Sequence, residues 1–203
     1  MVEEFVRSFV ALIAILNPVG AVPVFVSLMG GAEPRVRAKN ARVAALTVLV
    51  ILLLSALAGR WVLAAFGLSL SALRAGGGLV IVLMGLEMLR GQPTAVQHDT
   101  APESTADTIV VPFAMPTLAG PGSIATAITL AADKRGVEHV LTVGAAGVLS
   151  SFVVFLTLLG AGYFERVMSP RAQRILLRFM GLILVSLGAQ FMLGGAKEFW
   201  TQG

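Results

Sequence analysis

The chain has 203 residues, of which 57% are hydrophobic and 13% are charged, and its formal net charge is +4. Soluble domains have roughly 45–50% apolar and about 25% charged residues, so this composition excludes an ordinary soluble protein and predicts an integral membrane protein. The basic residues lie almost wholly between hydrophobic runs, so they indicate membrane topology rather than nucleic-acid binding.

Six hydrophobic segments follow one another along the chain, and each is long enough to form a membrane-spanning helix. In order they are 8–32, 43–59, 67–89, 108–132, 140–164 and 179–196. The N-terminus carries Glu3 and Glu4 rather than a basic leader, and no small-residue cleavage site follows the first segment. The first segment is therefore predicted to be a permanent span. The expected fold class is all-α, a polytopic membrane protein of six transmembrane helices.

The first span contains a helix-breaking motif near its centre. Within LNPVGAVPVF, the residues Pro18, Ala21 and Pro23 are arranged as Pro-x-x-Ala-x-Pro. Proline removes a backbone donor and clashes with the preceding helical turn. A continuous helix over this span would be about 37 Å long, against roughly 30 Å of hydrocarbon, so tilt or an unwound centre is required. We expect a break near Gly20, at the membrane midplane.

The fourth span repeats the motif within AMPTLAGPGSI, and its midpoint is Gly120. A broken helix at membrane depth is tolerated only where its freed backbone is buried in protein or lines a cavity. Paired breaks in two halves of one chain are typical of the substrate site of a transporter. Spans 1 and 4 are therefore both predicted to be broken.

The third and sixth spans resemble each other. Aligned without gaps, 73–91 and 177–195 are identical at seven of nineteen positions, among them Arg74/Arg178 and Gly77/Gly181. Because each half then has three spans, the halves insert in opposite directions and form an inverted-topology repeat. Chance similarity between apolar helices is the alternative. The predicted organisation is a three-helix repeat at 1–91, a polar linker at 92–107 and a second repeat at 108–203.

Arginine and lysine residues predict the orientation. The side that holds the N-terminus carries six of them and the opposite side carries nine. The opposite side is therefore predicted to be cytoplasmic. The protein is expected in the cell inner membrane, with both termini on the outer side.

Candidate substrate-binding residues lie at the two breaks, where small side chains leave the backbone accessible. The half-helix after a break favours an anionic group, and the carbonyls before it favour an ammonium group or a cation. The candidates are Asn17, Pro18, Gly20, Ala21 and Pro23 in the first break, and Pro116, Thr117, Ala119, Gly120, Pro121, Gly122 and Ser123 in the second. Two alternatives stay open: Asn17 caps a helix next to Pro18, or the small residues only let helices cross tightly.

Four further polar residues are candidates for coupling or gating: Glu87, Arg74, Arg178 and Gln190. Glu87 is the one acidic residue inside a predicted span, although Arg90 lies three residues further on and offers an ion pair. For the arginines, anchoring at the membrane interface is the alternative. For Gln190, it is a hydrogen bond between helices.

Enzyme chemistry, a metal site and a cofactor are not predicted. The two histidines, His98 and His139, lie in predicted loops, and no span contains a cluster of His, Cys and carboxylate residues. The absence of cysteine also excludes disulfides.

At these residues the chain resembles the MarC family of bacterial and archaeal inner-membrane proteins. The strings LNPVGAVPVF, RAGGGLVIVLMGLEML, PFAMPTLAGPGSI and RFMGLILVSLGAQFMLGG carry the resemblance, in this order along the whole chain. The resemblance implies two inverted three-helix halves and, from some members, transport of small neutral amino acids such as glycine and alanine. It implies a substrate region at 17–23 and 116–123.

We therefore expect a secondary transporter that works by alternating access of one half against the other, with the lipid bilayer and a small neutral amino acid as its partners. The coupling ion, a proton or Na⁺, and the oligomeric state are left open. Two other interpretations are retained: a channel-like passive exporter of small metabolites, and a non-transporting membrane scaffold. Breaks buried against side chains, with no cavity reaching them, would favour the scaffold.

Overall fold

The computed structural model describes residues 2–29, 32–90, 118–133 and 136–202, and all regular structure in these ranges is helical. This confirms the predicted all-α class. The helices are α1 Val2–Leu16, α2 Pro18–Leu28, α3 Pro34–Ala65, α4 Leu70–Arg90, α5 Pro121–Ala132, α6 Val137–Leu159, α7 Ala161–Val167 and α8 Pro170–Gln202.

Five segments of the described chain are long and apolar enough to cross a membrane. They are Val2–Leu28, Pro34–Ala65, Leu70–Arg90, Val137–Leu159 and Arg171–Thr201. The predicted fourth span is described only in its second half, the 12-residue apolar helix α5. Its first half, 108–117, and the predicted linker lie outside the described residues. At about 18 Å, α5 covers a little over half of the hydrocarbon thickness.

The two longest helices extend beyond their predicted spans. The second span was predicted to begin at residue 43, but α3 begins at Pro34 and includes Arg35, Arg37 and Lys39. Proline is favoured in the first helical turn, and arginine and lysine are good helix formers. Charged residues exclude this segment from the hydrocarbon but do not end the helix. The same holds for α8, which begins at Pro170 rather than at the predicted residue 179.

The outer surface of α3 is apolar, as a bilayer requires. Leu46, Val50, Leu54 and Leu57 are all exposed. Their spacing of three or four residues places them on one face of the helix. In a soluble protein, such a continuous apolar face would need a partner. In a membrane-spanning bundle, it is the face that contacts lipid.

Helices α4 and α8 pack along each other in opposite directions through glycines. A Cβ on Gly188 would lie 2.7 Å from the Gly78 carbonyl oxygen, and one on Gly195 would lie 2.6 Å from the Ser71 carbonyl oxygen. A Cβ on Gly181 would lie 2.8 Å from the Gly85 carbonyl oxygen. Glycine therefore lets the two backbones approach more closely than any side chain permits. We call this contact the glycine seam.

The glycine seam changes the register of the predicted repeat. The gapless alignment pairs Gly77 with Gly181, but only Gly181 lies in the seam. Gly77 instead faces α5, where a Cβ would lie 2.5 Å from that of Ala125. A shift of one residue pairs Gly78 with Gly181 and Gly85 with Gly188, which all lie in the seam. Apolar helices align almost equally well in neighbouring registers, so identity alone did not select this one.

The interior consists of two main groups of side chains, and each joins helices from both predicted halves. The larger lies among α1, α2, α3, α5, α6 and α7 and includes Phe25, Val48 and Val154. The smaller joins Ile15 of α1, Ile81 of α4 and Leu184 of α8. The α4/α8 pair contacts the rest chiefly through α5 and α1. The predicted halves 1–91 and 108–203 therefore interleave in space.

Candidate functional site

The first helix break is at Asn17, between α1 and α2. Asn17 has φ 42° and ψ 59°, the one positive φ at a non-glycine residue in the described part of the chain. Asparagine tolerates this left-handed conformation better than most residues. Its Oδ1 accepts a hydrogen bond of 3.3 Å from the Gly20 N–H, so it caps α2, whose first residue is Pro18. Because proline has no N–H, the carbonyl of Ala14 loses its helical donor.

This break lies three residues before the predicted centre at Gly20. The capping interpretation of Asn17 is confirmed by the hydrogen bond to Gly20. The second proline of the motif, Pro23, lies inside α2 and does not end it. Ala21, between the two prolines, is buried. The first proline therefore begins the new helix, while the second is accommodated within it.

The second break precedes α5. Gly120, with φ −74° and ψ −179°, is the extended N-cap residue, and Pro121 is the first residue of the helix. Ser123 is buried, and its hydroxyl donates to the Gly120 carbonyl at 2.8 Å. Because Pro121 has no N–H, the first free amide of α5 belongs to Gly122. Ala119 is also buried, and the predicted residues Pro116 and Thr117 lie outside the described ranges.

Both breaks face the same side of α4. The Asn17 side chain donates from Nδ2 to the sulfur of Met88 at 3.5 Å. A Cβ on Gly122 would lie 3.0 Å from Cγ1 of Ile81 and 3.5 Å from the sulfur of Met84. Residues 81, 84 and 88 follow helical spacing and share one face. The structure therefore brings the two breaks together across this α4 face, which consists of Ile81, Met84 and Met88.

Little space remains beside the breaks. The cavity next to the first break, lined by Gly20, Pro23, Gln173 and Met180 among others, has a volume of about 20 Å³. A water molecule needs about 10–15 Å³ of such volume, so this cavity has room for about one water and not for an amino acid. At the second break, Gly122 packs against Ile81 and Met84. In this conformation the first break has no room for an amino acid, and at the second break Gly122 is buried.

Glu87 is half-buried in α4, next to Met88. Its Oε2 atom is buried and has no hydrogen-bond partner, and no ion pair links Glu87 to Arg90. The pairing alternative considered for these two residues is therefore not realised in the described structure. An intramembrane carboxylate is a candidate for a functional role.

Arg74 joins three helices at one end of the bundle. Its Nη2 contacts Oδ1 of Asp133 at 2.8 Å, at the C-terminus of α5, and its Nη1 pairs with Oε1 of Glu198 in α8. The Arg74 side chain is 15% exposed, whereas each carboxylate side chain is 41% exposed. A half-exposed ion pair is worth little by itself, but two pairs sharing one arginine fix the relative position of α4, α5 and α8.

The same end of the bundle holds the last carbonyls of α5. Arg60 donates to the Ala132 carbonyl at 2.7 Å, and Nε2 of His139 lies 2.7 Å from the Leu130 carbonyl oxygen. Basic groups at a helix C-terminus complement its dipole. By contrast, Arg178 and Gln190 are exposed on α8.

Sequence reasoning missed the α4 face and the partners of Arg74. The helical spacing of Ile81, Met84 and Met88 is visible in the sequence, but nothing in it indicates that both breaks contact this face. The sequence did contain a signal for Asp133 and Glu198 as partners of Arg74. Both residues lie at segment ends that the predicted topology places on the same side of the membrane as Arg74. Within the described ranges, no three His, Asp or Glu side chains are grouped to hold a metal ion.

The sequence was compared with those of known proteins. The profile of the MarC family of integral membrane proteins matches residues 2–200. A UPF0056 membrane protein of Methanocaldococcus jannaschii is 36% identical over 198 residues, which cover 96% of this chain and 97% of the relative. A UPF0056 membrane protein of Aquifex aeolicus is 34% identical over 201 residues, which cover 96% of this chain and 92% of the relative. The UPF0056 membrane protein YhcE of Escherichia coli is 30% identical over 199 residues, which cover 95% of this chain and 92% of the relative. No solved structure matches the chain.

Proposed function

The chain belongs to the MarC family of integral membrane proteins, and from this premise we propose that it is a secondary transporter of small neutral amino acids such as alanine and glycine. It acts in the cell inner membrane as six spans in two inverted repeats, with both termini outside and without enzymatic activity. The observation that carries the proposal is that two helix breaks, one from each half, face the same side of α4.

The proposed site uses the backbone groups that the breaks release. The free amide of Gly122 and the N-terminal dipole of α5 receive the substrate carboxylate. The carbonyl of Ala14 has no helical donor, because Pro18 lacks an N–H. This carbonyl and Oδ1 of Asn17 together receive the ammonium group. The small substrate side chain contacts Met84, since methionine adapts its shape to an apolar partner.

Alternating access requires a boundary that opens, and the packing supports a particular one. The glycine seam holds α4 and α8 together through close backbone contact along their length. Between α4 and the broken helices, the contacts are instead mostly apolar side chains, with a hydrogen bond from Asn17 to a thioether, which is a weak acceptor. The contact with α5 adds one close glycine, Gly77, and the ion pair of Arg74 with Asp133, whose side chain is 41% exposed. We therefore propose that the α4/α8 pair moves as one unit against the other helices, rather than one half of the sequence against the other.

Glu87 is proposed to carry the coupling ion. Its buried oxygen has no partner, and its neighbour in the chain, Met88, contacts the first break. Movement of α4 would therefore change the environment of this carboxylate and of the substrate site together. A proton is the simplest ion for a single carboxylate, because Na⁺ needs several oxygen ligands.

Uptake by the purified protein in liposomes tests the proposal. Labelled alanine should enter in a saturable manner, and unlabelled alanine inside the vesicle should accelerate entry by exchange. A channel would give flux that neither saturates nor exchanges. Failure to transport any small neutral amino acid, with correctly inserted protein, would contradict the proposal.

A membrane scaffold is the second candidate, and the closed breaks favour it. The cavity beside Gly20 holds no amino acid, and Gly122 is packed against side chains. If the protein is a scaffold, bulkier residues at the breaks should alter stability alone. If it is a transporter, stable variants with a filled site should lose uptake.

A further inference from the structure

A second cavity lies at the opposite end of α2 from the first break. It has a volume of about 240 Å³ and lies between the end of α2, the start of α3 and the α6–α7 connection. Its lining includes Phe25, Met29, Pro34, Arg37 and Tyr163. One water molecule needs only about 10–15 Å³ of such volume, so a small headgroup fits.

Arg37 is the one charged residue among the described residues of this lining. Its Nε atom is buried and has no hydrogen-bond partner, and none of the described hydrogen bonds or ion pairs uses its guanidinium group. A buried donor without a partner is costly, so natural structures usually supply an acceptor or an anion. A guanidinium group presents a planar set of donors that matches the oxygens of a phosphate.

The position of Arg37 adds to this chemistry. The cavity touches Pro34, the first residue of the 32-residue helix α3, where the helix dipole favours an anion. Arg35, Lys39 and Arg42 lie in the same segment of α3 and raise the local positive potential. The charge distribution of the sequence assigns this end to the cytoplasmic side, which faces anionic lipid.

The remaining walls indicate the source of the phosphate. Most of the lining is apolar, including Phe25, Val26 and Leu158. Leu159 and Tyr163 are exposed on the outer surface, where a bilayer would surround the bundle. A hydrated free ion gains nothing from apolar walls, whereas a lipid places its glycerol and first methylene groups there.

We propose that this cavity binds the phosphate group of an anionic phospholipid, with Arg37 as its principal ligand. The site is separate from the helix breaks and does not depend on transport. Free phosphate shares the same recognition chemistry and is distinguished by experiment.

The test uses the full chain purified in detergent and titrated with dioleoyl-phosphatidylglycerol, dioleoyl-phosphatidylcholine or inorganic phosphate, with bound molecules counted by native mass spectrometry. Phosphatidylglycerol should bind with one tight site that phosphatidylcholine does not fill. Arg37→Gln should weaken this site at least about tenfold, as expected for loss of a charge-assisted hydrogen bond, and Arg37→Lys should weaken it less. If inorganic phosphate competes through Arg37, the site binds phosphate from either source.

The matched charge control is Arg35→Gln, an exposed arginine of the same segment. Equal weakening by Arg35→Gln and Arg37→Gln would overturn the proposal in favour of diffuse attraction, and so would equal binding of the two lipids. Gly162→Leu provides a variant that keeps the charge of Arg37 but fills the cavity. A Cβ on residue 162 would lie 3.2 Å from Nη1 of Arg37. This variant should also abolish the tight site, whereas Gly76→Leu, in open space, should not.

Discussion

The side chain of Asn17 lies over Gly20, whose N–H donates to its Oδ1 at 3.3 Å. A Cβ on residue 20 would overlap the carboxamide of Asn17. The glycine is thus required by the cap of α2, in addition to any role in admitting a substrate. The break depends on both residues: one adopts the left-handed conformation, and the other leaves room for its side chain.

Substitution Gly20→Ala should displace the Asn17 carboxamide and remove the cap of α2. We expect a loss of about 1 kcal/mol in stability, as for other N-cap losses, and a strong decrease in alanine uptake. Thermal unfolding in detergent and liposome uptake measure the two effects. The control is Gly76→Ala, because a Cβ on Gly76 meets nothing within 4 Å. Similar uptake by both variants would contradict a functional role for the first break.

Substitution Gly188→Ala should force α4 and α8 apart. A Cβ there would lie 2.6 Å from the Val82 backbone nitrogen, and a backbone atom cannot move aside cheaply. We expect destabilisation of about 1–3 kcal/mol, as for other overpacked sites, measured by unfolding in detergent. Gly194→Ala is the control, since a Cβ there meets nothing within 4 Å. Unchanged stability of the Gly188 variant would exclude the close packing of the seam.

Substitution Arg74→Gln should loosen the end of the bundle where Arg74 pairs with Asp133 and Glu198. Since the chain has no cysteine, a single Thr129→Cys reports on access to this end of α5. Thr129 is 1% exposed. The rate of labelling by a membrane-impermeant thiol reagent should rise several-fold in the Arg74→Gln background. Arg178→Gln, on the exposed side of α8, is the control and should leave the rate unchanged.

Substitution Glu87→Gln should uncouple uptake from the proton gradient. A neutral amide cannot bind and release a proton, so exchange of alanine should persist while gradient-driven accumulation is lost. Uptake into liposomes with and without an imposed pH gradient measures this. Glu138→Gln, at an exposed position in the first turn of α6, should retain accumulation. Retained accumulation in the Glu87 variant would remove this residue from the coupling mechanism.

Hydropathy and charge predicted the helical class and most of the spans, because membrane insertion depends on features that each segment carries alone. Both breaks were predicted as features. The first lies three residues before its predicted centre at Gly20, whereas the second coincides with its predicted centre at Gly120, the N-cap residue of α5. The two motifs are equivalent in sequence, yet α2 begins at the first proline of its motif, Pro18, and α5 at the last proline of its motif, Pro121. Asn17 supplies a cap in the first copy, whereas Met115 occupies the corresponding position in the second and has no such group.

The arrangement of the helices was not predictable in the same way. The glycines of α4 and α8 permit close packing, but their positions in the sequence do not show that these two helices pair with each other. The contact of Met88 with Asn17, and the buried Nε of Arg37 that has no partner among the described residues, result from the packing of distant segments. Such contacts depend on the whole fold, and no local pattern in the sequence specifies them.

The most direct test compares two reversible cross-links in liposome uptake of alanine. Cysteines at Arg74 and Asp133, joined by a bis-maleimide with a reducible spacer, would link α4 to α5 across the boundary proposed to open, whereas cysteines at Arg74 and Glu198 would link α4 to α8 at the end of the glycine seam. Each double variant before cross-linking is its own reference. We expect cross-linking of the first pair to stop uptake, a reductant to restore it, and the second cross-link to leave uptake intact. Continued uptake with α4 locked to α5, or loss of uptake only with α4 locked to α8, would contradict the proposal.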